Sequence, residues 1–375
     1  MKHTALCGAD VLARDGVTML PTLGKCGLLT NPTGVLRNMT ATADMLRELC
    51  DLTALFGPEH GVRGDAQAGA TVEDYAMDPA TGLPMYSFYG AGQAAAEQVM
   101  AGLDTVFFDI QDVGARFYTY QYTMTDAMQV CAKAGVRFVV LDRPNPIGGT
   151  KVEGTLLDRR FSTFVGRYPT PTRPGLTIGE FALWINETEH IGCDLHVIPC
   201  EGWERNMDWD DTDLLFVQPS PNLPTVDTAY TYIGTCIFEG TNVSEGRGTT
   251  KPFELIGAPW LDVPSVLSKL SQEPGVYLRE TCFTPTFSKY AGERCRGVQL
   301  HVYDREAYQP FATGLRLFCA IRNQHPDKLT TRPFLCNLLG SDAILQPDLA
   351  VDEYIAREAE KVAAWQENTR RIWLY

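Results

Sequence analysis

Histidine is scarce: the 375 residues contain 6, and no serine sits in a G-x-S-x-G turn, so a Ser-His-Asp hydrolase has no nucleophile elbow here. No G-x-G-x-x-G opens a helix and no P-loop is present, which excludes the usual cradles for dinucleotides and nucleotide phosphates. Basic runs are absent as well. With 32 Lys and Arg against 46 Asp and Glu, the net charge is −14, the wrong sign for nucleic acid or an anionic membrane surface. No apolar stretch approaches the length of a membrane span, and Met1–Asp10 lacks the apolar centre of a secretion leader. The 11 cysteines are an odd number, scattered singly with no C-x-x-C, so reduced thiols and a cytoplasmic location are expected; a trimmed leader would make the location secreted or periplasmic.

What is present reads as an α/β enzyme of two domains, since 375 residues exceed one ordinary core. Short apolar runs of the kind buried on both faces of a parallel sheet recur at 26–31, 52–56, 105–108, 137–141 and 195–198. Helical periodicity separates them at 40–50, 92–100 and 117–134, the last with Phe117, Tyr120, Met124, Met128 and Cys131 on one face. Parallel β-α-β units follow, and a Rossmann-like sheet without a dinucleotide motif is predicted over residues 1–250. Strand-like runs at 281–287 and 297–302 with helices near 309–323 and 352–367 predict a smaller α/β domain over 251–375 that closes a cleft. Thr177-Ile178-Gly179-Glu180 is a capping box, which makes Glu180 a cap rather than a catalyst.

Ligands of open α/β sheets bind at the carboxyl ends of the strands, and polar residues gather there. Glu59 and His60 stand between Pro58 and Gly61, where a carboxylate could do acid/base work. Asp109, Asp112 and Arg116 follow the third strand, either gripping a polar ligand or pairing with each other. Asp142-Arg143-Pro144-Asn145-Pro146 is stiffened by two prolines. Glu239, Glu245 and Arg247 occupy a glycine-rich loop that allows left-handed backbone and close approach to a ligand. Carboxylates with aromatic residues and arginines, and no phosphate cradle, point to a sugar, because carboxylate pairs cleave glycosidic bonds and aromatic faces stack on pyranose rings.

Gly57-Pro58-Glu59-His60-Gly61, the run from Phe108 to Tyr120, Leu141–Pro146, Pro219-Ser220-Pro221-Asn222 and the Glu239–Asn242 and Gly248–Thr250 segments resemble the family once called DUF1343. Its members include exo-acting β-N-acetylmuramidases of the NamZ type, which remove terminal N-acetylmuramic acid (MurNAc) from peptidoglycan fragments. The resemblance implies Glu59 as a catalytic glutamate, with Glu245 or Glu239 as the second acidic group. It also implies a substrate cleft at His60, Asp109, Asp112, Arg116, Tyr118, Asp142, Arg143, Asn145, Asn222 and Arg247. The sequence departs from the family in reading Arg173-Pro174-Gly175-Leu176-Thr177 where members often have Arg-His-Gly-Met-Thr. The expected activity is release of β-linked MurNAc from small fragments during cell-wall recycling or turnover. Neither metal nor cofactor is expected, and the partner is a small saccharide. Two other readings stay open: a non-catalytic muropeptide-binding protein, and a metal-dependent amidase or deacetylase using Asp109, Asp112 and His60.

Overall fold

A computed structural model of the chain describes residues 3–20, 22–59, 61–62, 76–270 and 272–375; His60 lies outside them. Seven strands form the larger sheet: β1 (Lys25–Thr30), β2 (Asp51–Gly57), β3 (Ala76–Met77), β4 (Pro84–Ser87), β5 (Thr105–Asp109), β6 (Arg137–Leu141) and β7 (Leu195–Ile198). Their order is β3-β4-β2-β1-β5-β6-β7, parallel throughout except for the two-residue β3 at the edge. The chain runs outward from β1 to β4 on one side and from β5 to β7 on the other, so the order reverses between β1 and β5, the doubly wound arrangement expected. Residues of β5 are buried throughout, which is why the strand reads as a continuous apolar run rather than an alternation.

Helices α1 (Gly8–Asp15), α2 (Thr42–Leu49), α3 (Gln93–Met100), α4 (Tyr120–Ala134) and α5 (Ile178–Thr188) surround this sheet. The α4 helix begins three residues later than its periodicity predicts, because Phe117 and Tyr118 turn aside to pack against Tyr232 and Tyr120. The capping box is present: Thr177 Oγ1 accepts from Glu180 N at 3.1 Å and Glu180 Oε2 accepts from Thr177 N at 3.1 Å.

Helix α6 (Val226–Thr235) then leads into a three-stranded antiparallel sheet of β8 (Leu255–Ala258), β9 (Val276–Phe283) and β10 (Cys295–Val302), ordered β8-β10-β9. The strand expected at 281–287 is β9, shifted toward the N-terminus; beyond Phe283 the chain leaves the sheet, and Thr286 N donates to Gly248 O at 2.8 Å. Helices α7 (Val263–Leu267), α8 (Pro310–Gln324), α9 (Phe334–Leu339) and α10 (Val351–Thr369) complete the chain. Helices α6 and α8 touch backbone to backbone at Gly234 and Gly314, where a Cβ on Gly314 would lie 2.1 Å from Gly234 O.

Arg116 joins these parts. Fully buried, it has no carboxylate partner among the described residues: Nη1 donates to Thr155 O (2.6 Å) and Thr170 O (3.1 Å), and Nη2 to Leu338 O (2.7 Å) and Leu339 O (2.8 Å). Burial draws its pKa down to about 10. Replacing it by leucine would leave the buried carbonyls of Thr155, Leu338 and Leu339 without this donor, and Thr170 O with Leu157 N alone. Arg116→Leu is expected to lower unfolding free energy by roughly 3 kcal/mol or more in urea titration, given that hydrogen bonds to charged groups contribute ~1.5–3 kcal/mol. A loss below ~1 kcal/mol would contradict this account.

Candidate active site

Glu59 is carried by the turn that follows β2, where Gly61 N donates to Pro58 O at 2.9 Å. The half-buried Glu59 lies beside Tyr89, whose phenol is raised first by burial and then by this carboxylate, to which it hydrogen bonds. Tyr89 in turn meets Phe164, with ring centroids 6.0 Å apart, and Phe164 is 43% exposed at the cleft rim. The floor is the Phe117–Tyr120 stretch between β5 and α4, and Tyr120 is fixed by donating to Pro219 O at 2.9 Å. Ser220, Asn222 and Leu223 close the pocket from above, and Tyr232, Phe253 and Leu338 form the far wall. The enclosed space is about 200 Å³ and presents two carboxylates, Glu59 and Glu239.

Glu239, Arg247 and Asn222 also line a larger, more open chamber of about 790 Å³, completed by Glu245, Phe287, Ser288, Lys289, Arg332 and Phe334. The two chambers therefore form one cleft. Its charges are chained together: Arg247 Nη2 bonds Glu239 Oε1 at 2.7 Å, Arg247 Nε stands 3.5 Å from Glu245 Oε1, and Lys289 Nζ bonds Glu245 Oε2 at 2.8 Å. Lys289 also donates to Phe238 O (2.7 Å) and Val243 O (2.9 Å), so all its charge is spent on the loop. Burial raises the pKa of Glu239 above the usual carboxylate range, with Arg247 opposing it. Burial works against the charged Arg247, but Glu239 and Glu245 hold its pKa above the ordinary value.

Two glycines make this loop possible. Gly246 and Gly248 both have φ of +81°, and a Cβ on Gly246 would lie 2.8 Å from Leu255 O. Phe253 takes the same left-handed region with φ of +61° although it is not glycine. It is held there by Tyr232, 4.6 Å away edge-on, and by Arg247, whose guanidinium sits 5.1 Å over its ring. Strain of about 1–3 kcal/mol is thus kept in the cleft wall by its neighbours.

The structure brings Glu59, Tyr118, Asn222, Glu239, Glu245 and Arg247 to the cleft. Six other candidates line neither chamber and are framework. Asp109 and Arg143 form a buried two-pronged ion pair at 2.5 and 2.9 Å, with Thr42 Oγ1 donating to Asp109 Oδ2 at 2.5 Å. That commitment withdraws Asp109 from a metal-ligand role. Asp142 accepts from Arg143 N, Gly179 N, Thr177 Oγ1 and Tyr375 OH, tying the C-terminus to the start of α5; burial pushes its pKa up to about 6 against these bonds. Asn145 braces its own turn through Ile147 N and Leu176 O. Asp112 is not paired with Arg116; its Oδ1 accepts from Gly114 N at 2.7 Å, and burial pushes its pKa up to about 7. Arg116 is spent on carbonyls. Sequence reasoning did not single out Phe164, Phe253, Lys289 or Arg332; these are isolated residues in no recognisable motif.

Family models for the exo-β-N-acetylmuramidase NamZ match at residues 26–227 (N-terminal part) and 230–375 (C-terminal part). The chain belongs to the NamZ family. It is 49% identical over 326 residues to the peptidoglycan β-N-acetylmuramidase NamZ of Bacillus subtilis strain 168, an alignment covering 85% of this chain and 78% of that protein. Two crystal structures of DUF1343 family proteins from Bacteroides fragilis NCTC 9343 share the fold, each matched over 99% of both chains. Their TM-scores are 0.89 and 0.79, at 32% and 30% identity.

Because Arg247 lowers the pKa that burial raises, Arg247→Gln is expected to move the Glu239 titration further upward. Glu239 would then lose its negative charge at a higher pH as the solution is acidified. Carbon-13 carboxyl shifts followed against pH would show this, and an unchanged midpoint would refute the coupling.

Proposed function

We propose that this chain is an exo-acting glycosidase that releases terminal β-linked MurNAc from peptidoglycan fragments of the MurNAc-GlcNAc type. The observation that carries the reading is the pair of carboxylates, Glu59 and Glu239, opening into one aromatic-lined pocket. Glycosidic cleavage needs an acid for the departing oxygen and an anion for the oxocarbenium-like ring carbon. Glu59, half-buried at the end of β2 and bonded to the phenol of Tyr89, serves as the general acid. Glu239 is held by Arg247 at 2.7 Å and supplies the anionic group that activates water or steadies the developing charge. Glu245, only 3% exposed in its side chain and gripped by Lys289, positions Arg247 rather than meeting the sugar ring.

Two chambers of unequal size support exo action. The small one takes the terminal sugar, with Tyr118, Phe164 and Tyr232 offering apolar faces to the ring. The larger one takes the leaving saccharide. A role in cell-wall recycling and a cytoplasmic location belong to the same proposal, the latter supported by 11 cysteines scattered singly.

The test is incubation of wild type and Glu59→Gln with MurNAc-β-1,4-GlcNAc. Wild type should release MurNAc, and the variant should be slower by roughly 10²–10⁴-fold, the usual contribution of general acid catalysis. An aryl glycoside, whose leaving group needs little protonation, should restore much of the variant's rate. Equal rates on the disaccharide would remove Glu59 from the acid role. Tight binding without turnover by wild type would favour a muropeptide-binding protein.

A further inference from the structure

A sugar acid brings a carboxylate into the cleft, and something must meet it. Arg143 and Arg116 were the obvious cations, but neither lines the cleft and both are consumed by internal partners. Arg247 is shared between Glu239 and Glu245, and Lys289 is spent on Glu245 and two carbonyls.

Arg332 differs from all of these. It lines the larger chamber, is exposed, and among the described residues is the one arginine whose side chain makes no hydrogen bond, ion pair or ring contact. Its backbone, by contrast, is fixed to the loop that carries Glu239. Arg332 N donates to Gly240 O at 2.8 Å, Asn242 N donates to Thr330 O at 3.1 Å, and Thr330 N donates to Asn242 Oδ1 at 2.9 Å. Pro333 follows and restricts the chain further. The base of the side chain is thus set relative to the Glu239 loop, while its guanidinium is available.

Charge balance in the chamber agrees. Glu239 and Glu245 are outnumbered by Arg247, Lys289 and Arg332, so the lining carries one excess positive charge in a protein of net −14. Arg332 is that excess. A planar guanidinium presents two parallel donors matched to a carboxylate.

We propose that Arg332 is the specificity residue that reads a carboxylate of the substrate in the outer chamber. This rests on the glycosidase reading above. The carboxylate is either the lactyl group of the terminal MurNAc reaching out of the inner pocket, or one borne by the saccharide beyond it.

The experiment measures kcat/KM for wild type, Arg332→Ala and Arg332→Lys on three substrates: MurNAc-β-1,4-GlcNAc, its lactyl amide, and the tetrasaccharide that adds a second MurNAc-GlcNAc unit. Arg332→Ala is expected to lose on the order of 10–100-fold on carboxylate substrates, mainly through KM, with Arg332→Lys recovering part of the loss. On the amide, wild type and Arg332→Ala should be nearly equal. A loss seen already on the disaccharide assigns the contact to the terminal lactyl group. A loss confined to the tetrasaccharide, on which the added MurNAc contributes the second carboxylate, assigns it to the leaving side. Equal losses on acid and amide alike, or none on any substrate, would overturn the proposal. Wild-type turnover of the disaccharide separately reports on the glycosidase reading. Should wild type bind without cleaving, the same acid-to-amide comparison by calorimetric affinity still decides the role of Arg332.

Discussion

Arg116 is a cation buried without an anion, and the geometry of the cleft depends on it. Its own backbone is held by Thr172 O, Tyr122 OH and Gln121 Nε2, so the guanidinium projects from a fixed point. The next residues, Phe117 to Tyr120, are the cleft floor. Two of its acceptors, Thr155 and Thr170, flank the loop that carries Phe164 and Val165 on the rim. The others are Leu338, which belongs to the far wall, and its neighbour Leu339. A single side chain therefore spaces floor, rim and wall. Carbonyl oxygens suit this purpose because they bond strongly to a guanidinium yet bring no second charge that must itself be desolvated.

The charged residues divide by what they bond. Asp109 with Arg143, and Asp142 with its four donors, are satisfied from inside the chain, and breaking such a buried pair leaves an uncompensated charge that costs about 3–5 kcal/mol. They lock β5, β6 and the first turn of α5 together at the carboxyl edge of the sheet. Even the crevice where strand order reverses is narrowed by the protein's own groups to a cavity of about 20 Å³ lined by Thr33, Gln111 and Arg143: Thr33 Oγ1 donates to Asn31 Oδ1 at 2.5 Å and accepts from Gln111 N at 2.8 Å. The open cleft is displaced from that crevice toward β2 and the smaller sheet. The place where a doubly wound sheet ordinarily takes its ligand has become scaffold.

This explains how far the sequence could be read. Strands β1, β2, β5 and β6 were legible because a strand covered on both faces reads as a nearly continuous apolar run, and the half-buried edge strand β7 because Leu195, Val197 and Ile198 are apolar. The Thr177–Glu180 cap was legible because its partners are three residues apart. Helix α6 was not, since Val226–Thr235 is rich in threonine and other β-branched residues that favour strands as readily as helices, and nearly all of it is buried. The same limit applied to the site. Charged residues at strand ends were correctly located as a cluster, but Asp109 meets Arg143 from 34 residues away and Arg116 meets Leu338 from 222. Nothing local distinguishes a carboxylate that faces solvent from one that faces an arginine on another strand. Arg332 lay beyond reach for the opposite reason: its significance is that it has no partner, which only a structure can display.

The working charges are arranged on different terms. Glu239 is raised in pKa by burial, and the same burial makes its attraction to Arg247 stronger than it would be in water. Arg247 stays in place because Glu245 holds its other side, and Glu245 is gripped by Lys289, which is itself anchored to two carbonyls of the loop. Each charge in the chain is oriented by the next, and the last is tied to backbone. Under the function proposed for Glu239, such an arrangement would need no rearrangement as positive charge develops on a sugar carbon, which is the condition under which fixed dipoles and charges lower a barrier most. The left-handed Phe253 under Arg247 belongs to the same construction: its strained backbone presents a ring face to the guanidinium, trading a small local cost for a cation that cannot swing away from Glu239.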